Sequence, residues 1–165
     1  MGTWLSGMRT TADRLNDNTP HTVNYTSITA NTANNTGTEA VALTTASITF
    51  RAGRAYRITF KGLVQSSTAA DQVTVRVRKT NTSGDVYLDS FRLVVPTAGG
   101  NTPFYLANIC ANSTTSDVSA VLVGTYARIS GAGNALISAT TTHVCYVEVE
   151  EIGDAADFAG ARAIT

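Results

Sequence analysis

The strongest constraint in this chain is a periodicity. From Thr22 to Gly153, apolar and polar residues alternate in short runs, and each run stops at residues that favour turns. Alternation of this kind marks a half-buried β-strand, because successive side chains point to opposite faces. The runs fall at roughly 22–29, 40–50, 54–64, 72–80, 85–95, 103–110, 117–128, 134–140 and 143–151. Between them stand Ala52-Gly53, Ser66-Ser67, Asn81-Thr82-Ser83-Gly84, Pro96 to Pro103, Asn112 to Ser116 and Gly131-Ala132-Gly133. About eight or nine short strands with regularly spaced turns predict an all-β chain, an antiparallel β-sandwich or jelly roll. Thr supplies about one residue in six and Lys occurs only at positions 61 and 79, which suits pleated, half-buried surfaces better than helices.

The ends differ from the middle. Residues 1–20 read as an N-terminal arm with a short helix: Thr10 or Thr11 caps it, Asp13 sits in its first turn, and Pro20 ends the segment. Residues 21–153 form the β domain, and the Ala-rich segment 154–165 is expected to drape over a neighbour or stay mobile. Residues 30–37 are a loop by composition. The arm carries Trp4, Leu5, Met8 and Leu15. Such an apolar set at a chain end either packs on its own domain or anchors to a partner, and a buried Trp is a common interface hot spot.

Within 54–64, Tyr56, Ile58, Phe60 and Gly62 share one face, and Arg57, Thr59 and Lys61 share the other. In 72–80, Val73, Val75 and Val77 oppose Thr74, Arg76 and Arg78. Reading these runs as one hairpin, burial selects a register that pairs Phe60 with Val75 and Ile58 with Val77. Arg57 then falls beside Arg78, and like charges directly opposite call for an acidic neighbour. The last strand, with Tyr146, Glu148 and Glu150 on one face, offers one; Glu148 or Glu150 is expected to meet a cluster of Arg57, Arg76 and Arg78.

Two runs are apolar on both faces. Val118, Leu122 and Tyr126 oppose Val121, Val123 and Ala127; Val86, Leu88 and Val94 oppose Tyr87, Phe91 and Leu93. A strand apolar on both faces is buried on both. A loop, the arm or a sister subunit would cover the second face, and the sister subunit is the most economical cover. Val121, Val123 and Tyr126 are therefore candidate interface residues.

Several function classes find no support. Formal net charge is zero, which speaks against nucleic-acid binding and a polybasic membrane anchor. No apolar run approaches the roughly 18 residues of a membrane span. The N-terminus lacks the apolar stretch of a secretory signal, so synthesis and folding in a cytoplasm are expected. No nucleophile elbow, zinc helix or phosphate loop occurs, and His21 and His143 stand apart from any catalytic motif. No cofactor is expected. Glu148, Glu150, Glu151 and Asp154 would suit Ca²⁺ only together with loop carbonyls, and a solvated sheet edge is the simpler reading. Cys110 and Cys145 lie in strand-like runs and read as two buried thiols, with a cross-sheet disulfide as the alternative. Tyr25, Tyr87, Tyr105, Tyr126 and Tyr146 would make a sugar platform if exposed, although most fit core or interface positions.

Three segments carry a resemblance. Trp4, Gly7 and Thr11-Ala12-Asp13-Arg14-Leu15-Asn16 resemble the openings of small virion proteins of tailed actinobacterial bacteriophages. Ile48 to Ile58, with its Ala52-Gly53 turn, and Tyr146 to Gly153 are similar to a middle hairpin and a closing strand in those proteins. The resemblance implies a non-enzymatic jelly-roll protein of the virion, a homotrimer attached to the major capsid protein as decoration, or to tail proteins. The alternative is a minor tail or receptor-binding protein whose β-sandwich binds a host-surface glycan.

Overall fold

The computed structural model describes residues 19–165. The expected arm helix, with Trp4, Leu5, Met8 and Leu15, lies outside the described residues. Eleven strands follow: β1 (His21–Ile28), β2 (Ala40–Phe50), β3 (Arg54–Ser66), β4 (Gln72–Lys79), β5 (Val86–Asp89), β6 (Leu93–Val94), β7 (Thr102–Asn112), β8 (Val118–Ser130), β9 (Ala135–Ser138), β10 (Cys145–Asp154) and β11 (Arg162–Ala163). They form two sheets. The larger runs β1-β10-β3-β7-β11, with β9 also on β3; the smaller runs β2-β8-β4-β5, with β6 also on β4. The chain changes sheets between β1 and β2, β2 and β3, β3 and β4, β6 and β7, β7 and β8, and β8 and β9, and the resulting strand order is that of a jelly roll. Among the described residues no helix is long and apolar enough to cross a membrane.

The expected all-β sandwich is present. Pairing is antiparallel except for β11, which runs parallel to β7. The run 85–95 divides into β5 and β6 because the Asp89 carboxylate accepts the Phe91 N–H at 2.8 Å and Phe91 takes φ 60°. The Asn-Thr loop before β2 is less irregular than its composition suggests. Asn35 bridges to Ala135, and the Ile137 N–H donates to the Thr32 hydroxyl at 2.9 Å, so the loop lies along β9.

Alternation selected the right inward set. Tyr56, Ile58, Phe60, Val73, Val75, Val77, Val147 and Val149 are all fully buried. The hairpin of 54–64 with 72–80 is a correction. β3 pairs with β10, β7 and β9, whereas β4 pairs with β8, β5 and β6 in the opposite sheet. Both strands present apolar residues to the same core, but from across it. The connection between them crosses from one sheet to the other rather than making a tight turn.

Asp71 organises that crossing. Its carboxylate accepts the Ser66 hydroxyl at 2.5 Å and the N–H groups of Ala132 and Gly133 at 3.1 and 2.9 Å. A Cβ on residue 131 would sit 1.8 Å from Asp71 Oδ1, so Gly131, at φ 105°, permits the approach. The Ser66 hydroxyl above all, then these N–H groups and Arg128, hold the Asp71 carboxyl below its ordinary range against the effect of burial. The Gly-Ala-Gly turn thus cradles an anion, and the anion is the protein's own.

The segment after β10 closes on its own domain. Ile164 is buried, its N–H donates to Ala111 O at 2.9 Å, and Lys79 Nζ donates to Thr165 O. The expectation of a draped or mobile tail overlooked Ile164, an apolar side chain that fills a place in the core. Cys110 and Cys145 are buried free thiols, as the simpler reading held.

Candidate functional site

The outer face of the larger sheet is assembled by register. Tyr146 of β10 pairs with Lys61 of β3, and Lys61 with Tyr105 of β7. One step along, Glu148, Thr59 and Ala107 align; one further, Glu150, Arg57 and Ile109. Direct partners in an antiparallel ladder point the same way. The first row therefore places an exposed lysine between two tyrosines. β1 adds Tyr25, whose ring centroid lies 5.0 Å from that of Tyr146. Tyr105 and Tyr25 are 64% and 51% exposed. Lys61 Nζ stands 5.8 Å from the centre of the Tyr146 ring, within the range of a cation–π contact.

Beside this row the turn before β10 rises to form a cleft of about 440 Å³, lined by Lys61, Phe104, Tyr105, Thr142, His143 and Tyr146 among others. The turn is held by the His143 N–H donating to Thr140 Oγ1 and the Thr140 N–H donating to His143 O, both at 3.0 Å. The Tyr146 phenol is pushed upward by burial, then by Glu148, Tyr105 and Tyr25. It stays a neutral hydroxyl, able to donate, across the physiological range. Tyr56, Tyr87 and Tyr126 are buried, so the tyrosines divide evenly between core and surface. Parity held the signal: Tyr146 shares its face with Glu148 and Glu150.

The charge cluster splits between the sheets. Arg57 Nη1 meets Glu150 at 3.1 Å, and Glu148 accepts the Thr22 hydroxyl at 3.1 Å. Arg76 and Arg78 lie on the outer face of the smaller sheet, bound to Glu39 at 3.0 and 2.6 Å; Arg76 also meets Asp89 at 3.0 Å. Arg57 does not approach Arg78 as a strand partner, because β3 and β4 are in different sheets. Glu39, just before β2, escaped the sequence reading because it stands outside any alternating run. Burial raises its carboxyl, but hydrogen bonds from Arg78 and Thr125 and the charges of both arginines outweigh that and bring it below its ordinary range.

Glu151 is not on a solvated edge. It is 2% exposed and accepts Arg54 Nε at 2.7 Å, Arg51 Nη1 at 3.3 Å and the Tyr56 hydroxyl at 3.2 Å. With Glu148 and Glu150 facing outward and Glu151 inward, the acidic run is dispersed. Among the described residues no group of three or more His, Cys, Asp or Glu is placed to hold a metal ion.

β8 is buried on both faces, as its composition required. Tyr126 points into the core and its hydroxyl donates to Ala33 O at 2.5 Å. Val123 is only 2% exposed, although it points the other way. Its cover comes from the chain itself. Arg78 stands beside Val123 and Arg76 beside Thr125, while Glu39 accepts from both arginines and from Thr125 at 2.5 Å. Long side chains lay their apolar stems over such a surface, so Val123 needs no sister subunit above it. Val121, nearer the strand end, is half-buried.

A second, wider groove of about 1070 Å³ runs between β7 and the C-terminal segment, past Arg57, Asn108, Phe158 and Arg162. Here Asn108 Nδ2 donates to Tyr87 O at 2.8 Å and ties edge strand β5 to β7.

No family model matches the chain, and no curated protein matches it. Solved structures do. The chain is similar to the infectious bursal disease virus Gx strain structure, at 10% identity and TM-score 0.50, over 81% of this chain and 32% of that one. The VP2 subviral particle of the same virus matches at 10% identity and TM-score 0.45, over 82% and 38%. A CBM4 structure matches at 13% identity and TM-score 0.38, over 68% and 66%. The chain thus spans about a third of the length of the viral proteins it matches. At this identity the likeness establishes the fold alone, a β-sandwich.

Proposed function

We propose that this chain is a non-enzymatic structural protein of a tailed-phage virion, a homotrimer attached to the capsid as decoration through its N-terminal arm. The observation that carries the reading is an apolar surface at one end of the smaller sheet. Val94 pairs with Gln72 on one side of β4, and Ile129 precedes Ser130, the partner of Gln72 on the other side. Val94 and Ile129 are about half exposed, and Phe91 on the neighbouring loop is 79% exposed. Apolar side chains left exposed at one end of a sheet offer surface for a protein contact. In the proposal this surface meets sister subunits, and Trp4, Leu5, Met8 and Leu15 meet the major capsid protein. The partners are proteins; neither nucleic acid nor membrane is among them.

Light scattering and co-sedimentation with capsids lacking the protein test this together. A trimer that loses its assembly on Val94→Asp and Ile129→Asp, and that binds capsids through Trp4, is the expected result. A monomer that ignores capsids overturns the reading.

The tyrosine-lined cleft favours a second reading, a minor tail or receptor-binding protein that binds a glycan. Its support is the exposed Tyr105 and Tyr25 on a sheet face, where aromatic surface is available to a ligand.

A further inference from the structure

We propose that the cleft between Tyr105 and Tyr146 binds a carboxylate-bearing sugar of a surface glycan. The proposal deepens the receptor-binding reading and rests on it.

Shape comes first. A cleft of about 440 Å³ falls in the range of small-ligand sites, roughly 300–1,000 Å³. It is concave, whereas a protein partner would meet a broad, flat face. Its lining includes the phenol rings of Tyr105 and Tyr146, which offer an apolar surface to the C–H face of a pyranose and hydroxyls to its edge. The Thr142 hydroxyl and the His143 ring, 3.1 Å apart at the rim, add polar groups for sugar hydroxyls.

Charge then selects the sugar. Among the described residues lining the cleft, Lys61 is the one Lys or Arg, and none is Asp or Glu. Lys61 is exposed and forms no ion pair among the described residues; its Nζ faces the Tyr146 ring. A lone ammonium in a mostly apolar cleft favours an anion. It suits a single carboxylate better than a phosphate, which is usually held by several donors or by the forked Arg guanidinium. Glu148, the nearest acid in register, lies one pair further along β10 and already accepts from Thr22.

The test uses the full chain and two probes: hexagalacturonate and its carboxyl-reduced neutral counterpart, titrated calorimetrically at low salt. The uronate is expected to bind roughly tenfold tighter than the neutral chain, as one charge-assisted contact implies. Lys61→Met should remove that tenfold difference between the two probes. Tyr105→Ala should weaken both probes. Lys61 and Tyr105 are surface residues, and circular dichroism checks that both variants fold. Equal binding of the two probes, untouched by Lys61→Met, overturns the carboxylate selection while the glycan reading stands. Binding untouched by both variants overturns the site. Binding of neither probe to the folded wild type overturns the glycan reading itself.

Discussion

The ring of Phe60 on β3 lies against Gly124 on β8, across the whole thickness of the sandwich. A Cβ on residue 124 would stand 2.9 Å from Phe60 Cζ and 3.3 Å from Leu43 Cγ. Phe60 has little room to move aside, because Phe104 packs edge-on beside it with ring centroids 5.0 Å apart. Gly124→Ala should therefore overpack the core and cost about 1–3 kcal/mol. Thermal unfolding followed by circular dichroism would register a loss of several degrees. Adding Phe60→Leu should recover part of it, since neighbours in contact couple non-additively. An unchanged melting temperature in Gly124→Ala would contradict the close approach.

The same contact shows what alternation can and cannot tell. Parity predicted that Phe60, Val75 and Val77 face the core, because each residue type states its own preference for burial. Whether two core-facing strands lie side by side or face to face leaves no trace in parity. Val77 sits beside Gly124 in one sheet and Phe60 comes down on Gly124 from the other, yet both read as inward residues of one hairpin. The acidic partner of Arg57 was legible because Glu150 sits in a clean alternating run. Glu39 was not, since it stands in a loop and acts through the arginines of a distant strand. The exposed tyrosines were half legible: Tyr146 shares parity with two glutamates, but Tyr105 lies in a run without charges.

Acid should weaken the fold through Glu39, Asp71 and Asp89. The Asp89 carboxyl is raised by burial, but Arg76, the Phe91 N–H and Thr74 outweigh that. All three carboxyls therefore titrate lower in the folded chain than in the unfolded one. Their stabilisation is complete above the ordinary carboxylate range, near pH 4, and is lost as pH falls through the depressed folded values. Glu39→Gln should flatten this acid limb. It should also cost about 1–2 kcal/mol at neutral pH, less than for a fully buried pair because these side chains keep some solvent contact. Urea melts at pH 7 and pH 3.5 measure both effects; an equal pH dependence in the wild type and Glu39→Gln would refute the assignment.

Both thiols should be inert in the native protein. Burial pushes Cys110 and Cys145 up to about 12, so almost no thiolate forms at pH 8. An aromatic disulfide reagent should report no reactive thiol until denaturant is added, and then two. Fast modification of either cysteine under native conditions would show that its strand opens far more readily than a buried ladder should.

The C-terminal segment should be costly to lose. Ile164 is 1% exposed and its N–H bonds Ala111, so β11 caps the edge of β7 with both backbone and side chain. Without it, β7 would present a bare edge and Cys110 an open flank; unpaired edges invite pairing with other chains. Truncating a buried Ile to Ala costs about 2–5 kcal/mol, with the lower half applying where the site can collapse. This site lies at a sheet margin, so Ile164→Ala should fall near 2–3 kcal/mol. The same variant should expose Cys110 to the thiol reagent while leaving Cys145, on the far side of β3, protected. Thiol counting on Ile164→Ala separates this from general loosening: two reactive thiols in the native state would mean that the whole larger sheet depends on the segment, and one would confine its role to the β7 edge.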